Sequence, residues 1–297
     1  MKNKLIDIIR INSRPLKPLP TGRLFNSRGS EDIKSVIFDI YGTLIISASG
    51  DIGTQIGFSK KDIFLESMRN NGIIICNNQA GQKGLDFFYD EIRLSHLNSK
   101  KNSINYPEVV ITDIWEKTLK KLLNEKLIYT QLSDSMILEI ATYFECNANP
   151  AWPMPGLLDI LKFLKRKNLI LGIISNAQFY TPLLFKAFTD SSLDDLGFEP
   201  ELIEYSYINK EAKPSLKMFK SIINNLKINY NIDPSNTLYV GNDMLNDIYS
   251  ANKAGFKTAL FAGDRRSLNL RENDPGLSGI NPDFIITELM QISELVN

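Results

Sequence analysis

The sequence predicts an α/β protein, a doubly wound parallel sheet with a mostly helical segment inserted after its first strand. Three observations predict it. Short, apolar, β-branched runs such as "SVIFDI" (Ser35–Ile40), "LILGIISN" (Leu169–Asn176) and "NTLYVGND" (Asn236–Asp243) have the composition of strands buried on both faces. Helical patterns separate these runs, and alternating strands and helices imply a parallel sheet covered on both sides. The alternation is interrupted once, over residues 49–149, where apolar residues recur at helical spacing without strong strand alternation.

Taken in order, residues 1–33 form an N-terminal arm. It carries Lys2, Lys4, Arg10, Arg14, Lys17, Arg23 and Arg28, with prolines at 15, 18 and 20, and is expected to be extended on the surface or partly disordered. The core domain is expected to occupy residues 34–48 and 150–297, with "SVIFDI" as its first strand. Within the insert, helices are predicted at "KKDIFLESMRNN", "GLDFFYDEIRLSHLN", "PEVVITDIWEKTLKKLLNEK" and "DSMILEIATYF". "NPAWPMPG" (Asn149–Gly156) punctuates the return to the core. Helix "LLDILKFLKRKN", strand "LILGIISN", helix "YTPLLFKAF", strand "ELIEYSY", helix "PSLKMFKSIINNLK" and strand "NTLYVGND" follow. Helix "LNDIYSANKAG", strand "FKTALFAG" and a last pair, "DFIIT" and "ELMQISELV", complete the chain.

Composition narrows the function. The 297 residues contain 34 Lys+Arg and 34 Asp+Glu, a balance that gives no reason to expect nucleic acid as a partner. No apolar run approaches the roughly 20 residues that span a bilayer, and "MKNKLIDIIRINSR" lacks the apolar core and cleavage site of a signal peptide. Cys76 and Cys146 are expected to be buried thiols of a cytoplasmic, reduced protein. The expected partner is a small-molecule substrate.

In an open parallel sheet, ligands bind beyond the carboxyl ends of the strands. Those ends deliver Asp39 from the first strand, Ser175 and Asn176 from the second, and Lys213, just before Pro214, from the loop after the third. The fourth delivers Asn242, Asp243 and, four residues after it, Asp247. Carboxylates brought so close need a cation or an ammonium between them. That is the physical case for an aspartate nucleophile beside a hard metal ion.

The constellation "DIYGT" (Asp39–Thr43), "SN" (Ser175–Asn176), "KP" (Lys213–Pro214) and "GNDMLND" (Gly241–Asp247) resembles the haloacid dehalogenase superfamily of hydrolases. The resemblance implies a cap domain in the helical insert and assigns roles. Asp39 would attack the substrate and form an aspartyl intermediate. Thr43 and Ser175 would hydrogen-bond the transferring group, Asn176 would share that site, and Lys213 would neutralise charge on the nucleophile. Mg²⁺ would be held by Asp39, the backbone carbonyl of Tyr41 and Asp243, with Asp247 completing or orienting the shell. A one-residue offset would put Asn242 in place of Asp243; the charged oxygen favours Asp243.

Tyr41 complicates the resemblance. Phosphatases of the superfamily usually carry a second Asp two residues after the nucleophile, as the acid for the leaving alcohol. A phenol with a reference pKa of about 10 is a poor substitute near neutrality. The superfamily's L-2-haloacid dehalogenases share an Asp-x-Tyr-Gly-Thr motif and need neither acid nor metal, but their last motif is depleted in carboxylates. "GNDMLND" is rich in them, so a Mg²⁺-dependent phosphatase for a substrate with a good leaving group is favoured. The alternatives are a metal-independent dehalogenase and a catalytically impaired binding protein on the same fold. Arg69 and Arg93 are candidate anchors for a haloacid carboxylate, although an Arg on such a helix is usually just solvated. His96, the single histidine, makes a His-based triad or zinc site improbable. "DFFYDEI" is expected to pack inside the insert, and Trp152 and Met154 at its return to the core.

Overall fold

A computed structural model describes residues 1–27, 32–48 and 59–296. The chain begins α1 (Lys2–Asn12), β1 (Ser35–Phe38) and β2 (Ile45–Ser47). It continues α2 (Lys60–Arg69), β3 (Ile74–Ile75), α3 (Ala80–Lys101), α4 (Ile111–Asn124), β4 (Ile128–Tyr129) and α5 (Asp134–Ala148). Next come β5 (Ala151–Pro153), α6 (Leu157–Arg166), β6 (Ile170–Ser175), α7 (Thr181–Thr189), β7 (Phe198–Tyr205), α8 (Ser206–Asn209) and α9 (Lys217–Tyr230). The last elements are β8 (Thr237–Gly241), α10 (Ser250–Lys253), β9 (Lys257–Phe261) and β10 (Phe284–Ile286).

Six strands form one parallel sheet in the order β10-β9-β8-β1-β6-β7. Successive residues point to opposite faces of a strand, and the sheet is apolar on both. Val36, Phe38, Leu238 and Val240 pack with Leu157 and Leu161 of α6 and Phe185 of α7. Ile37, Ile174 and Tyr239 pack with Met218, Phe219 and Ile222 of α9. This two-sided burial is why the strands read as continuous apolar runs and why their polar residues sit at the ends.

The insert has its own apolar cluster, built from α2 to α5 around Phe64, Phe88, Trp115 and Phe144. Phe88 of "DFFYDEI" packs as expected, with its ring centre 6.2, 5.0 and 5.7 Å from those of Phe64, Trp115 and Phe144, while its neighbour Tyr89 is exposed. Two short antiparallel pairs escape the sequence pattern, β3–β4 inside the insert and β2–β5 where the chain leaves and re-enters the core. Trp152 of β5 rests on Phe188 with ring centres 5.1 Å apart. The segment "LNDIYSANKAG" forms a wider π-type turn, Met244–Tyr249, before α10.

Two expectations need correction. The arm is not extended throughout, because Lys2–Asn12 is helical and buries Leu5, Ile6 and Ile9. That helix packs on α5 and α7, where burying three aliphatic side chains outweighs the local polarity. The arm then crosses the sheet edge and pairs Asn26 with Ile285, covering edge strand β10. Cys146 is buried but Cys76 is exposed, just beyond the two-residue strand β3. Arg28 and the insert's first residues, 49–58, lie outside the described residues.

Candidate active site

Asp39 continues the line of β1, and its amide donates to the Val240 carbonyl at 2.9 Å. The chain then turns sharply, with the Ile40 carbonyl accepting from the amides of Thr43, Leu44 and Ile45. Gly42 holds this turn at φ +84°, a region that favours glycine, and a Cβ there would come within 2.6 Å of Asn242 Nδ2. The β8 loop therefore presses directly on the loop that carries Asp39.

The predicted residues from β6, the 213 loop and β8 do converge. Lys213 Nζ lies 2.7 Å from Asp39 Oδ1 and 2.6 Å from Asp247 Oδ1. It also reaches the Ile174 carbonyl at 3.2 Å and the Tyr239 hydroxyl at 3.1 Å. Asp39, Lys213 and Asp247 are only 6%, 5% and 2% exposed, so these are buried charges joined at hydrogen-bond distance. Ser175 Oγ donates to the same Asp39 Oδ1 at 2.9 Å. Among the described residues, Asp39 Oδ2 has no donor, which leaves one oxygen pinned and the other open.

Asp247 is saturated. Its Oδ1 faces Lys213 and the Tyr239 hydroxyl, and its Oδ2 accepts from the amides of Asn242 and Asp243 at 3.0 and 2.9 Å. Gly241 makes room for this, because a Cβ there would lie 2.4 Å from Asp247 Cγ. Burial pushes the Asp247 carboxyl up to about 6 against the pull of Lys213, and the neighbouring Asp39 charge adds to the rise. Burial alone would lower the Lys213 ammonium, but Asp247 and Asp39 outweigh it and its pKa is raised. The trio thus carries two buried carboxylates and one ammonium.

Asn176 positions Lys213 rather than reaching into the site: its Oδ1 accepts the Lys213 amide at 2.8 Å. Thr43 donates to Asn242 Oδ1 at 3.0 Å. Asn242 is therefore the β8-loop side chain turned toward the loop that carries Asp39. Asp243 is turned away. Its carboxylate accepts the amides of Leu245 and Asn246 and is gripped by Arg271 through Nε at 2.8 Å and Nη2 at 2.6 Å, with Asn269 Nδ2 at 3.1 Å.

A divalent cation fits a reduced set of donors. Among the described residues, Asp39 Oδ2 and the Tyr41 carbonyl have no hydrogen-bond donor; both belong to one turn, and the Asn242 carboxamide rests on that turn. Mg²⁺ commonly takes one or two carboxylates, with waters and substrate oxygens completing its shell. Asp243 and Asp247 offer it no uncommitted oxygen.

The Tyr41 phenol is enclosed away from Asp39. Its oxygen is 3.0 Å from Thr181 Oγ1, beside Tyr180, Cys146 and the half-buried Glu145 of α5. Burial and then the Glu145 charge hold the phenol well above its usual pKa, and burial pushes the Cys146 thiol up to about 12. Arg69 and Arg93 are paired on their own helices with Glu66 and Asp90.

Sequence reasoning missed Tyr239 and Arg271. A hydroxyl in the middle of the apolar strand "TLYVG" was the available signal for Tyr239. Arg271 lies in a loop 28 residues beyond its partner, Asp243, and has no local signal.

Known proteins share this fold. Residues 33–255 match the family model described as haloacid dehalogenase-like hydrolase. The chain belongs to that family. It is 30% identical over 145 residues to the glyceraldehyde 3-phosphate phosphatase of Pyrococcus furiosus, a match covering 48% of this chain and 54% of the relative. The chain thus spans about half the length of that curated relative. Among solved structures, a 2-haloacid dehalogenase from Pseudomonas syringae pv. Tomato DC3000 superposes with a TM-score of 0.52 at 19% identity, covering 88% of this chain and 97% of that one. A HAD phosphatase from Thermococcus onnurineus superposes with a TM-score of 0.50 at 19% identity, covering 88% and 96%. These superpositions support the fold, and the hydrolase class follows from the family.

Proposed function

We propose that this hydrolase is a phosphatase for a small phosphorylated metabolite with a good leaving group. The observation that carries the reading is the half-pinned Asp39. Ser175 and Lys213 hold Oδ1, while Oδ2 has no donor among the described residues. Oδ2 would attack phosphorus, the bond to the leaving oxygen would break, and that oxygen would depart with the electron pair. Water would then attack the phosphorus of the aspartyl phosphate, releasing phosphate and restoring the carboxylate. Lys213, fixed by Asn176 and Asp247, would offset charge on Asp39 throughout.

No acid reaches the leaving group in this scheme, because the Tyr41 phenol is bound at Thr181. General acid help is typically worth about 10²–10⁴ in rate, so acyl or aryl phosphates are favoured over alkyl esters. With two carboxylates to one ammonium, the trio has an excess negative charge that a dianionic phosphate would meet. Mg²⁺, held by Asp39, the Tyr41 carbonyl and Asn242, would supply the compensating positive charge when bound. The phosphatase relative supports this reading.

A second reading, metal-independent dehalogenation, is favoured by the same neutral Asn242 and by the engagement of Asp243 with Arg271. The test is a panel of acyl, aryl and alkyl phosphates and 2-haloacids, with and without Mg²⁺, on the wild type and Asp39→Asn. Mg²⁺-stimulated release of phosphate that the folded variant loses supports the phosphatase. Halide release indifferent to Mg²⁺ supports the dehalogenase. No turnover of any substrate would leave a binding protein on this fold.

A further inference from the structure

We propose that Glu108, on the helical insert, is a positioning residue that locks the insert onto the two loops carrying Ser175–Asn176 and Lys213. The inference rests on the assignment of Asp39 and Lys213 to the reaction.

Glu108 lies in Tyr106–Ile111, the segment leading into α4. That segment docks edge-on against the chain just before Lys213. The Ala212 amide donates to the Tyr106 carbonyl at 2.8 Å, and the Glu108 amide donates to the Lys210 carbonyl at 3.1 Å. It also docks against the residue two beyond Asn176. Gln178 Nε2 donates to the Val109 carbonyl at 2.8 Å, and the Ile111 amide donates to Gln178 Oε1 at 3.0 Å.

The Glu108 carboxylate closes the gap between the two core loops. Its Oε2 accepts from Ser206 Oγ at 2.8 Å, and Ser206 Oγ in turn accepts the Ala177 amide at 2.9 Å. Its Oε1 accepts the Val109 amide at 2.9 Å and Gln178 Nε2 at 3.4 Å. From Ala177 the path runs through Asn176, whose side chain accepts the Lys213 amide, to the ammonium on Asp39. A carboxylate of the insert is thus joined to the nucleophile's counter-charge through hydroxyl, amide and carboxamide contacts, each at 3.0 Å or less. Its burial is compensated by these donors, and burial raises its pKa before Ser206 and Val109 lower it.

A surface contact would hold the insert but leave the core loops unchanged. A positioning residue would set them. Hydrogen exchange separates the two without any substrate. In Glu108→Ala, the amides of Ala177 and Lys213 should exchange faster by about tenfold or more, together with those of Ala212 and Ile111. With 4-nitrophenyl phosphate, kcat should fall by about tenfold or more while KM stays within about twofold. Glu108→Gln keeps an acceptor oxygen and should restore kcat to within about threefold of wild type. If Glu108→Ala does not fold, Ser206→Ala removes the bridging hydroxyl and should free the Ala177 amide in the same way.

Faster exchange confined to Ala212 and Ile111, with Ala177 and Lys213 as protected as in wild type, would overturn the proposal. So would an unchanged kcat in a variant whose seam has loosened. If the wild type turns over no phosphate, the phosphatase reading fails by itself, and the exchange at Lys213 still decides the role of Glu108.

Discussion

Replacing Lys213 with Met tests whether the ammonium is what allows two carboxylates to be buried side by side. Nζ is the cation at hydrogen-bond distance from both Asp39 and Asp247. Removing one partner of a buried ion pair costs about 3–5 kcal/mol, because the remaining charge is left uncompensated. The cost should depend on pH, in a direction that the raised Asp247 carboxyl fixes. Its folded pKa is about 6 against an ordinary value of 3.8, so the native state binds the proton more tightly than the unfolded chain. Stability from this group is fully present below 3.8 and is lost as pH rises to about 6. The difference, 6 − 3.8, corresponds to about 3 kcal/mol in the wild type. Without Lys213 the carboxyl loses its largest downward pull and rises further, so the loss continues above pH 6 at up to about 1.4 kcal/mol per pH unit. The deficit of Lys213→Met relative to wild type should therefore reach about 3–5 kcal/mol at pH 8 and shrink by about 2 kcal/mol or more at pH 5. Urea unfolding in EDTA at pH 5, 6.5 and 8 measures it, with matched m-values as the check on two-state behaviour. A deficit equal at pH 5 and pH 8, or larger at pH 5, would refute the view that Lys213 lets the Asp247 carboxyl ionise inside the fold.

Asn242→Asp places a carboxylate against the nucleophile turn and should strengthen Mg²⁺ binding. At a hundredfold excess over Kd the ion should stabilise the variant by about 2.7 kcal/mol, and equal Mg²⁺-induced shifts in Tm for variant and wild type would count against Asn242 as the metal-facing residue. Tyr41→Asp should destabilise the protein by about 3 kcal/mol, because it leaves a cavity and sets a second carboxylate beside half-buried Glu145. The same variant should leave the ratio of alkyl to aryl phosphate turnover where it is in wild type; a rise in that ratio would show that position 41 can supply the acid.

The parts of the site that the sequence made legible share one physical origin. A strand buried on both faces can place charge only at its ends, so Asp39, Ser175 and Asp247 stood out against apolar runs, and strand order brought them together. Lys213 was legible from its place just before Pro214, in the loop between a strand and a helix. What was not legible depends on direction rather than position. Asn242 and Asp243 are adjacent at the end of β8, where successive side chains point to opposite sides. Charge favours Asp243 as a metal ligand, but an arginine 28 residues later takes its carboxylate, and only the folded loop reveals that. The helix in the arm was legible in principle, since Leu5, Ile6 and Ile9 share one face, but the basic residues and prolines around it dominate the composition.

Tyr41 joins these two kinds of information. Its position in "DIYGT" identifies the missing acid, yet its side chain contributes to a different part of the molecule. The phenol packs with Thr181 and Tyr180 at the start of α7 and with Glu145 on α5, the last helix of the insert. Asn149 donates to Glu145 at 3.0 Å and Tyr180 hydrogen-bonds it, so the half-buried carboxylate has partners from both core and insert. Among the described residues, two of the polar seams between insert and core lie at Glu108 and Glu145. The first leads toward Lys213; the second leads to the turn that follows Asp39. The Tyr41 phenol is fixed at Thr181 and lines the same cavity as Glu145 and Cys146 of the helix through which the chain re-enters the core. The first motif thereby places the turn after Asp39 next to the end of the insert.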